Sequence, residues 1–137
     1  MDPMTNRRLQ KEIKDYNSQD ATYSTSNYYS LSYDSKNLLN WSANLHCIPV
    51  KWHEGKDYNL EITLPENYPF SPPIVRFINN VNCICVCRET GIISIDILKT
   101  GARGGWSPAF TIAGVMVSII SVLTDEDSKR YHRRKPL

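Results

Sequence analysis

Residues 57–78 read DYNLEITLPENYPFSPPIVRFI, and their pattern decides what kind of fold the chain can adopt. In the first eight, Tyr58, Leu60, Ile62 and Leu64 fall on one face of an extended segment, and Asp57, Asn59, Glu61 and Thr63 on the other. A period of two is the signature of a half-buried strand with its apolar face on a core. Pro65, Pro69, Pro72 and Pro73 then interrupt the chain, because proline lacks the N–H that a central strand must donate. Beyond them, Ile74–Ile78 is a short apolar run that reads as another strand. Upstream, Tyr28–Tyr33 and Trp41–Cys47 alternate as well, and the connection HEGKD at 53–57 is short and rich in turn formers. Brief connections pair successive strands antiparallel. A four-stranded meander over 28–78 follows.

The segments on either side have a different period. In NRRLQKEIKDY, residues 6–16, Leu9, Ile13 and Tyr16 stand at i, i+4 and i+7, and Arg7, Arg8, Lys11 and Lys14 fill the other faces. This predicts an amphipathic helix with Thr5 or Asn6 as its N-terminal cap. Residues 17–27, NSQDATYSTSN, are polar and turn-rich and read as a loop. From Val81 to Gly105 no period is clear, and then 111–124 is apolar nearly all round, which predicts a buried second helix. Its apolar stretch of about a dozen residues falls short of the ~20 a bilayer requires, so no membrane is expected. The order is helix, four-stranded meander, long irregular segment, helix. That is an α+β fold.

With 137 residues, 41% apolar and 22% charged, the chain is expected to form a single globular domain. Sixteen Lys and Arg against fourteen Asp and Glu leave no global field that would point to nucleic acid or an acidic substrate. The opening MDPMTNRRLQKE lacks an apolar h-region, so no secretory signal is expected, and the location is expected to be cytoplasmic, nuclear or both. In such a reducing compartment the four cysteines are expected as free thiols.

Several motifs agree in order and spacing with one family. YPFSPP (68–73), TGIISIDIL (90–98), WSPAFTI (106–112) and SVLTDED (121–127), with RRLQKEI (7–13), Ile48-Pro49 and HEGK (53–56), resemble the ubiquitin-conjugating (E2) family. The resemblance runs from about Asn6 to Asp127 and implies one domain over 1–137, with a core of 6–127 and a basic tail of 128–137. Members carry a ubiquitin-like protein as a thioester on a cysteine, and the register ISIDIL puts Ser94 at that position. Cys83, Ile84 and Cys85 occupy the places of the family's His-Pro-Asn, whose Asn amide donates to the oxyanion of the attacked carbonyl. Asp96 and Asp125 match acidic positions near the active groove. LKTGARGGW (98–106) is about four residues longer than the family's usual connection, and it is Gly-rich and basic. The sequence stops soon after the second helix, where the family usually continues through one or two more.

Two losses together, the thiol and the oxyanion donor, favour an E2-fold variant without thioester transfer that acts as a binding partner. The alternatives are an enzyme with residual transfer through Ser94 or a relocated cysteine, and a degenerate paralogue without activity. The resemblance implies ubiquitin or a ubiquitin-like protein, a RING-type ligase or an active E2 as partners, and no cofactor. Ligases dock in this family on surfaces that match Arg7 and Lys11 of the first helix, Phe70, and Ser107, Pro108 and Ala109. Phe70 also reads as a core residue under the proline turn. Cys83-x-Cys85-x-Cys87 could supply thiolates to a metal with Cys47, His46 or His53 as the fourth ligand, but a second CxxC is missing and small thiols on an alternating segment account for it. Cys85 or Cys87 could be a displaced nucleophile, with only Arg88 in the sequence to activate it. Ser94 reads as a weak oxyester former or a structural serine, Asp96 as a loop cap, and Asp125 as a helix-end charge. The basic end, Lys129 to Lys135, reads as a solvated tail or a contact for RNA or an acidic partner.

Overall fold

A computed structural model describes residues 2–17, 28–46, 48, 55–81, 83, 85–102 and 104–125. Helix α1 spans Pro3–Asn17. Strands β1 (Tyr29–Asp34), β2 (Asn37–Leu45), β3 (Tyr58–Thr63) and β4 (Ile74–Phe77) form one sheet in sequence order, every pair antiparallel. A single 3-10 turn, Asp96–Leu98, and helix α2, Ile112–Thr124, complete the described elements. The α+β meander between two helices is therefore the fold, as the periods predict.

The strand that decides the pattern behaves as its sequence requires. Along β3 burial alternates strictly, and Tyr58, Leu60, Ile62 and the following Leu64 all enter the core. They meet Trp41, Ala43 and Leu45 of β2, Val75 and Phe77 of β4, Leu9 of α1, and Ile112, Val115, Met116, Ile119, Ile120 and Leu123 of α2. Burying each such side chain removes enough apolar surface to contribute roughly 1.5–3 kcal/mol. α2 is buried on one face only: Val117 and Ser121 are exposed, so the near-continuous apolar run overstates its burial.

The bounds of two elements differ from the sequence reading for local reasons. β2 starts at Asn37 rather than Trp41, because Asp34 Oδ1 accepts from Lys36 N at 2.9 Å and closes a tight turn directly after β1. α1 starts at Pro3, and Asp2 is its cap: Oδ1 accepts from Met4 N at 2.9 Å, and Pro3 sits where a missing N–H costs nothing. Thr5 is therefore not a cap. It lies inside the helix and buried, its hydroxyl donating to the Tyr68 carbonyl at 2.7 Å.

That contact belongs to a larger knot. The Glu12 carboxylate, only 7% exposed, accepts from Arg8 Nε at 3.0 Å, from the Tyr68 hydroxyl at 2.6 Å and from the Ile112 backbone N–H at 2.7 Å. Arg8 also donates to the Phe110 carbonyl at 2.7 Å and lies 5.9 Å from the centre of the Tyr68 ring. Burial, with the Glu12 carboxylate beside it, holds the Tyr68 phenol protonated far above its ordinary range. One buried carboxylate thus joins α1, the cis Tyr68–Pro69 turn and the start of α2.

Removing it strands buried donors at a cost of roughly 1–3 kcal/mol each. Glu12→Ala should therefore lower unfolding stability by about 3 kcal/mol or more, and Tyr68→Phe, which leaves two partners on Glu12, by about 1 kcal/mol. Urea unfolding midpoints measure both, and equal losses would contradict the shared-carboxylate account.

Candidate active-site groove

The groove is built along the free edge of β4. Gly91 has a φ of +78°, and a Cβ there would stand 2.2 Å from the Phe77 carbonyl oxygen, so only glycine fits. The close approach lets Gly91 O accept from Phe77 N at 2.7 Å and Val75 O accept from Ile93 N at 2.9 Å. Residues 91–93 therefore run as a short extension of the sheet. On their far side Val86 bridges Ile93, Ile92 O accepts from Cys87 N at 3.0 Å, and Cys85 O accepts from Ser94 N at 2.7 Å. Ser94 leaves this ladder exposed.

Ser94 and Asp96 come together in one cleft of about 210 Å³, with Ile95, Ile97, and Ser118 and Val122 of α2. Asp96 is exposed and opens the 3-10 turn, whose backbone holds the glycine-rich connection: its carbonyl accepts from Lys99 N at 3.1 Å and Gly105 N at 2.8 Å. Asp125 follows the last residue of α2 and is not among the residues that line the cleft.

The cysteines differ from expectation. Cys83 and Cys85, both buried, are joined in a disulfide rather than standing as free thiols. The turn in which Cys83 O accepts from Val86 N brings their α-carbons to 5.3 Å, inside the range a disulfide spans. A paired and buried Cys85 cannot be a displaced nucleophile, and a pair bonded to itself offers no thiolates to a metal. Among the described residues no group of three or more His, Cys, Asp and Glu is placed to hold one. Ile84, Cys47 and His53 lie outside the described residues. His46 engages Asn44 instead, Nδ1 to Oδ1 at 2.9 Å.

Among the described residues Cys87 is the free cysteine, and it is exposed. Hydrogen bonds from the Thr90 hydroxyl, and then from the backbone N–H groups of Thr90 and Glu89, hold its pKa below the ordinary thiol value, opposed by the Glu89 charge. The activating partner is thus Thr90, three residues along a tight turn, and not Arg88. The turn itself is closed by Gly91 N donating to Cys87 O at 2.7 Å. Cys87 lines a second, polar groove of about 360 Å³ with Arg76, Asn79, Asn80, Arg88, Glu89 and Thr90 among its walls.

The residues that match the family's docking surface lie on two loops and one helix that are tied together. Trp106 Nε1 donates to the Pro69 carbonyl at 2.9 Å, and its ring lies 6.2 Å from Tyr68 and 5.7 Å from Phe110. Arg8 then links Phe110 to α1. Phe70 is 59% exposed, so it is not a core residue, and Pro108 and Ala109 are exposed beyond Trp106. Ser107 is half-buried, its hydroxyl accepting from Ala109 N at 3.2 Å. Arg7 and Lys11 are exposed on α1. The sequence reading missed Glu12 and Arg8, although helical phase places Glu12 between Leu9 and Tyr16, on the apolar face.

A sheet flanked by two helices, with a cleft beside α2 reached from an edge extension of β4, is the architecture of a known class, and comparison with other proteins agrees. The sequence pattern of the ubiquitin-conjugating enzymes matches residues 8–134. Ubiquitin-conjugating enzyme E2 7 of Arabidopsis thaliana is 32% identical over 125 residues, covering 85% of this chain and 72% of that protein. Ubiquitin-conjugating enzyme E2 pex4 of Dictyostelium discoideum is 33% identical over 91 residues, covering 66% of this chain and 58% of that protein. Among solved structures, human ubiquitin-conjugating enzyme E2 G1 superposes with a TM-score of 0.79 at 25% identity, covering 91% of this chain and 98% of that one. The E2 domain of a Toxoplasma gondii ubiquitin conjugating enzyme superposes with a TM-score of 0.70 at 29% identity, covering 88% of this chain and 74% of that one. The chain belongs to the ubiquitin-conjugating enzyme family.

Because the thiolate reacts and the thiol does not, alkylation of Cys87 by iodoacetamide should become half-maximal at a pH below that of an unperturbed thiol. Thr90→Val should move that midpoint upward by removing the hydroxyl donor. A midpoint unmoved by Thr90→Val would remove Thr90 from this role.

Proposed function

We propose that this chain is an E2-fold protein of the ubiquitin or ubiquitin-like pathway that carries no thioester and works by binding its partners. The observation that carries this reading is Ser94, which stands exposed in the cleft beside α2 where the family resemblance puts the nucleophilic cysteine. A serine hydroxyl needs an adjacent base, and the side chains lining its cleft offer one titratable group, the carboxylate of Asp96. A carboxylate is a far weaker base than an alkoxide and draws the proton from an alcohol poorly. The resemblance aligns Cys85 with the Asn whose amide serves the oxyanion, and a buried disulfide sulfur donates nothing there. Loss of one such donor costs ~10²–10³ in rate.

What remains is a surface. Phe70 and the Pro108–Ala109 tip are exposed apolar groups, with Arg7 and Lys11 presented by α1. An aromatic anchor with a charged rim suits a partner of modest affinity, here a RING-type ligase or an active E2, with ubiquitin or a relative as the shared cargo of the pathway. A second reading, residual transfer through Cys87, is favoured by the exposure of that thiol and its Thr90 hydrogen bond.

Incubation with activating enzyme, ATP and tagged ubiquitin decides between them. The expected result is no dithiothreitol-sensitive adduct. An adduct lost in Cys87→Ser would establish the second reading, and a thiol-resistant, hydroxylamine-labile one would implicate Ser94. Ser94→Cys alone should charge weakly, and adding Cys83→His, Ile84→Pro and Cys85→Asn should raise discharge to amines by ~10²-fold. For the binding role, Phe70→Ala should weaken partner affinity by ~1–3 kcal/mol with an unchanged unfolding midpoint. Arg7→Glu should mainly slow association and reduce its salt sensitivity. Unchanged binding in both folded variants would leave a degenerate paralogue as the better account.

A further inference from the structure

We propose that the cavity between α1, strands β1 and β2 and the start of α2 binds a primary ammonium on a short alkyl stem, the group that ends a lysine side chain. The site is separate from the surface around Phe70, and it stands whether or not the chain carries ubiquitin.

The cavity has a volume of about 80 Å³. At roughly 30 Å³ for each water it has room for about two or three of them, or for a few heavy atoms in their place. Its floor is buried and consists of Glu12, Trp41 and Ile112. At the rim Tyr16 and Thr111 are half-buried and Asp15 is exposed, so the space opens to solvent on that side.

Three oxygens at this cavity each keep an acceptor position. Glu12 Oε1 accepts from Ile112 N at 2.7 Å, Tyr16 Oη from Leu31 N at 3.0 Å, and Thr111 Oγ1 from Gly114 N at 3.0 Å. Each oxygen has two lone pairs, and among the described residues each accepts only that one hydrogen bond. An ammonium brings three N–H donors and no acceptor, which matches the set. An anion would stand beside two carboxylates, Glu12 and Asp15, with no Lys, Arg or His among the lining side chains to hold it. Nor does the positive end of α2 attract one here, because the Ile112 and Gly114 N–H groups already donate to Glu12 and Thr111. The Trp41 indole N–H is likewise spent, on the Leu38 carbonyl at 2.7 Å. Arg8 occupies the other oxygen of Glu12, and Asp15 brings the second negative charge that offsets the cost of taking a cation out of water. Leu31, Trp41 and Ala113 give the alkyl stem an apolar wall. An alkylamine with an ordinary pKa of ~10.4 carries its charge at neutral pH.

The test titrates n-butylammonium chloride into the isotopically labelled full chain and follows the backbone amide resonances, with n-butanol and sodium chloride at equal concentrations as controls. Butylammonium should shift the Leu31, Ile112 and Gly114 resonances saturably. Butanol, which has the stem without the charge, should bind at least ~tenfold more weakly. Ala113→Leu places a larger side chain and a good helix former at a half-buried wall position, and it should abolish the saturable shifts. Nα-acetyl-lysine methylamide, titrated alongside, assigns the source: tighter binding than butylammonium points to the lysine of a partner chain, weaker binding to free amines, and both support an ammonium site. Three results would each overturn the proposal: shifts no larger than those in sodium chloride, which would make this a water-filled cavity only; equal affinity for butanol; or wild-type affinity in a folded Ala113→Leu. Should Ala113→Leu not fold, the comparison of butylammonium with butanol on the wild-type chain decides alone.

Discussion

A buried carboxylate with three donors holds this molecule in register. Glu12 takes one hydrogen bond from its own helix, one from a tyrosine in the proline turn and one from the first residue of α2. Each of those segments would otherwise leave a polar group without water or partner, at a cost comparable to a good part of a small domain's net stability. The apolar core does not discriminate so sharply, since hydrophobic burial has no direction. The carboxylate supplies direction: it sets where α1 lies along its own axis relative to the turn at Tyr68 and the start of α2. Thr5 on the Tyr68 carbonyl and Trp106 on the Pro69 carbonyl repeat the device on either side.

The cleft inherits its position from this arrangement through α2. Ser118 and Val122 form one wall, and the other is the segment that leaves β4's edge by way of Gly91. Gly91 is the counterpart of Glu12 on that side, because the edge extension closes only where a backbone can approach another without a Cβ between them. Between the two walls Ser94 shares the cleft with the side chains of Asp96 and Ser118.

How far the sequence could be read follows from which features are periodic. The alternation of Tyr58, Leu60, Ile62 and Leu64 is a local property, and the core uses it unchanged. The start of α1 is not legible locally, because Thr5 and Asn6 are good caps in isolation, whereas Asp2 followed by Pro3 is a better one and Thr5 is claimed by a turn some sixty residues away. The phase of Glu12 was visible; that its three donors converge was not, since they come from sequence positions 8, 68 and 112. At the cysteines, CxC spacing permits pairing without requiring it, and what brings Cys83 to Cys85 is a backbone turn that no residue pattern announces. Thr90 as the partner of Cys87 depends in the same way on the bend that Gly91 closes.

Trp106, half-buried between the turn at Pro69 and Phe110, has a consequence for how function is inferred from folds of this kind. The segments YPFSPP and WSPAF look like a retained docking surface, yet Tyr68, Pro69, Trp106 and Phe110 are the residues that close the structure at that end. A chain selected only to fold would hold them as firmly as one selected to bind. Phe70 is the exception: it projects outward from a loop whose other members are occupied with one another. In such a scaffold, the informative residue is the exposed one that the architecture could spare.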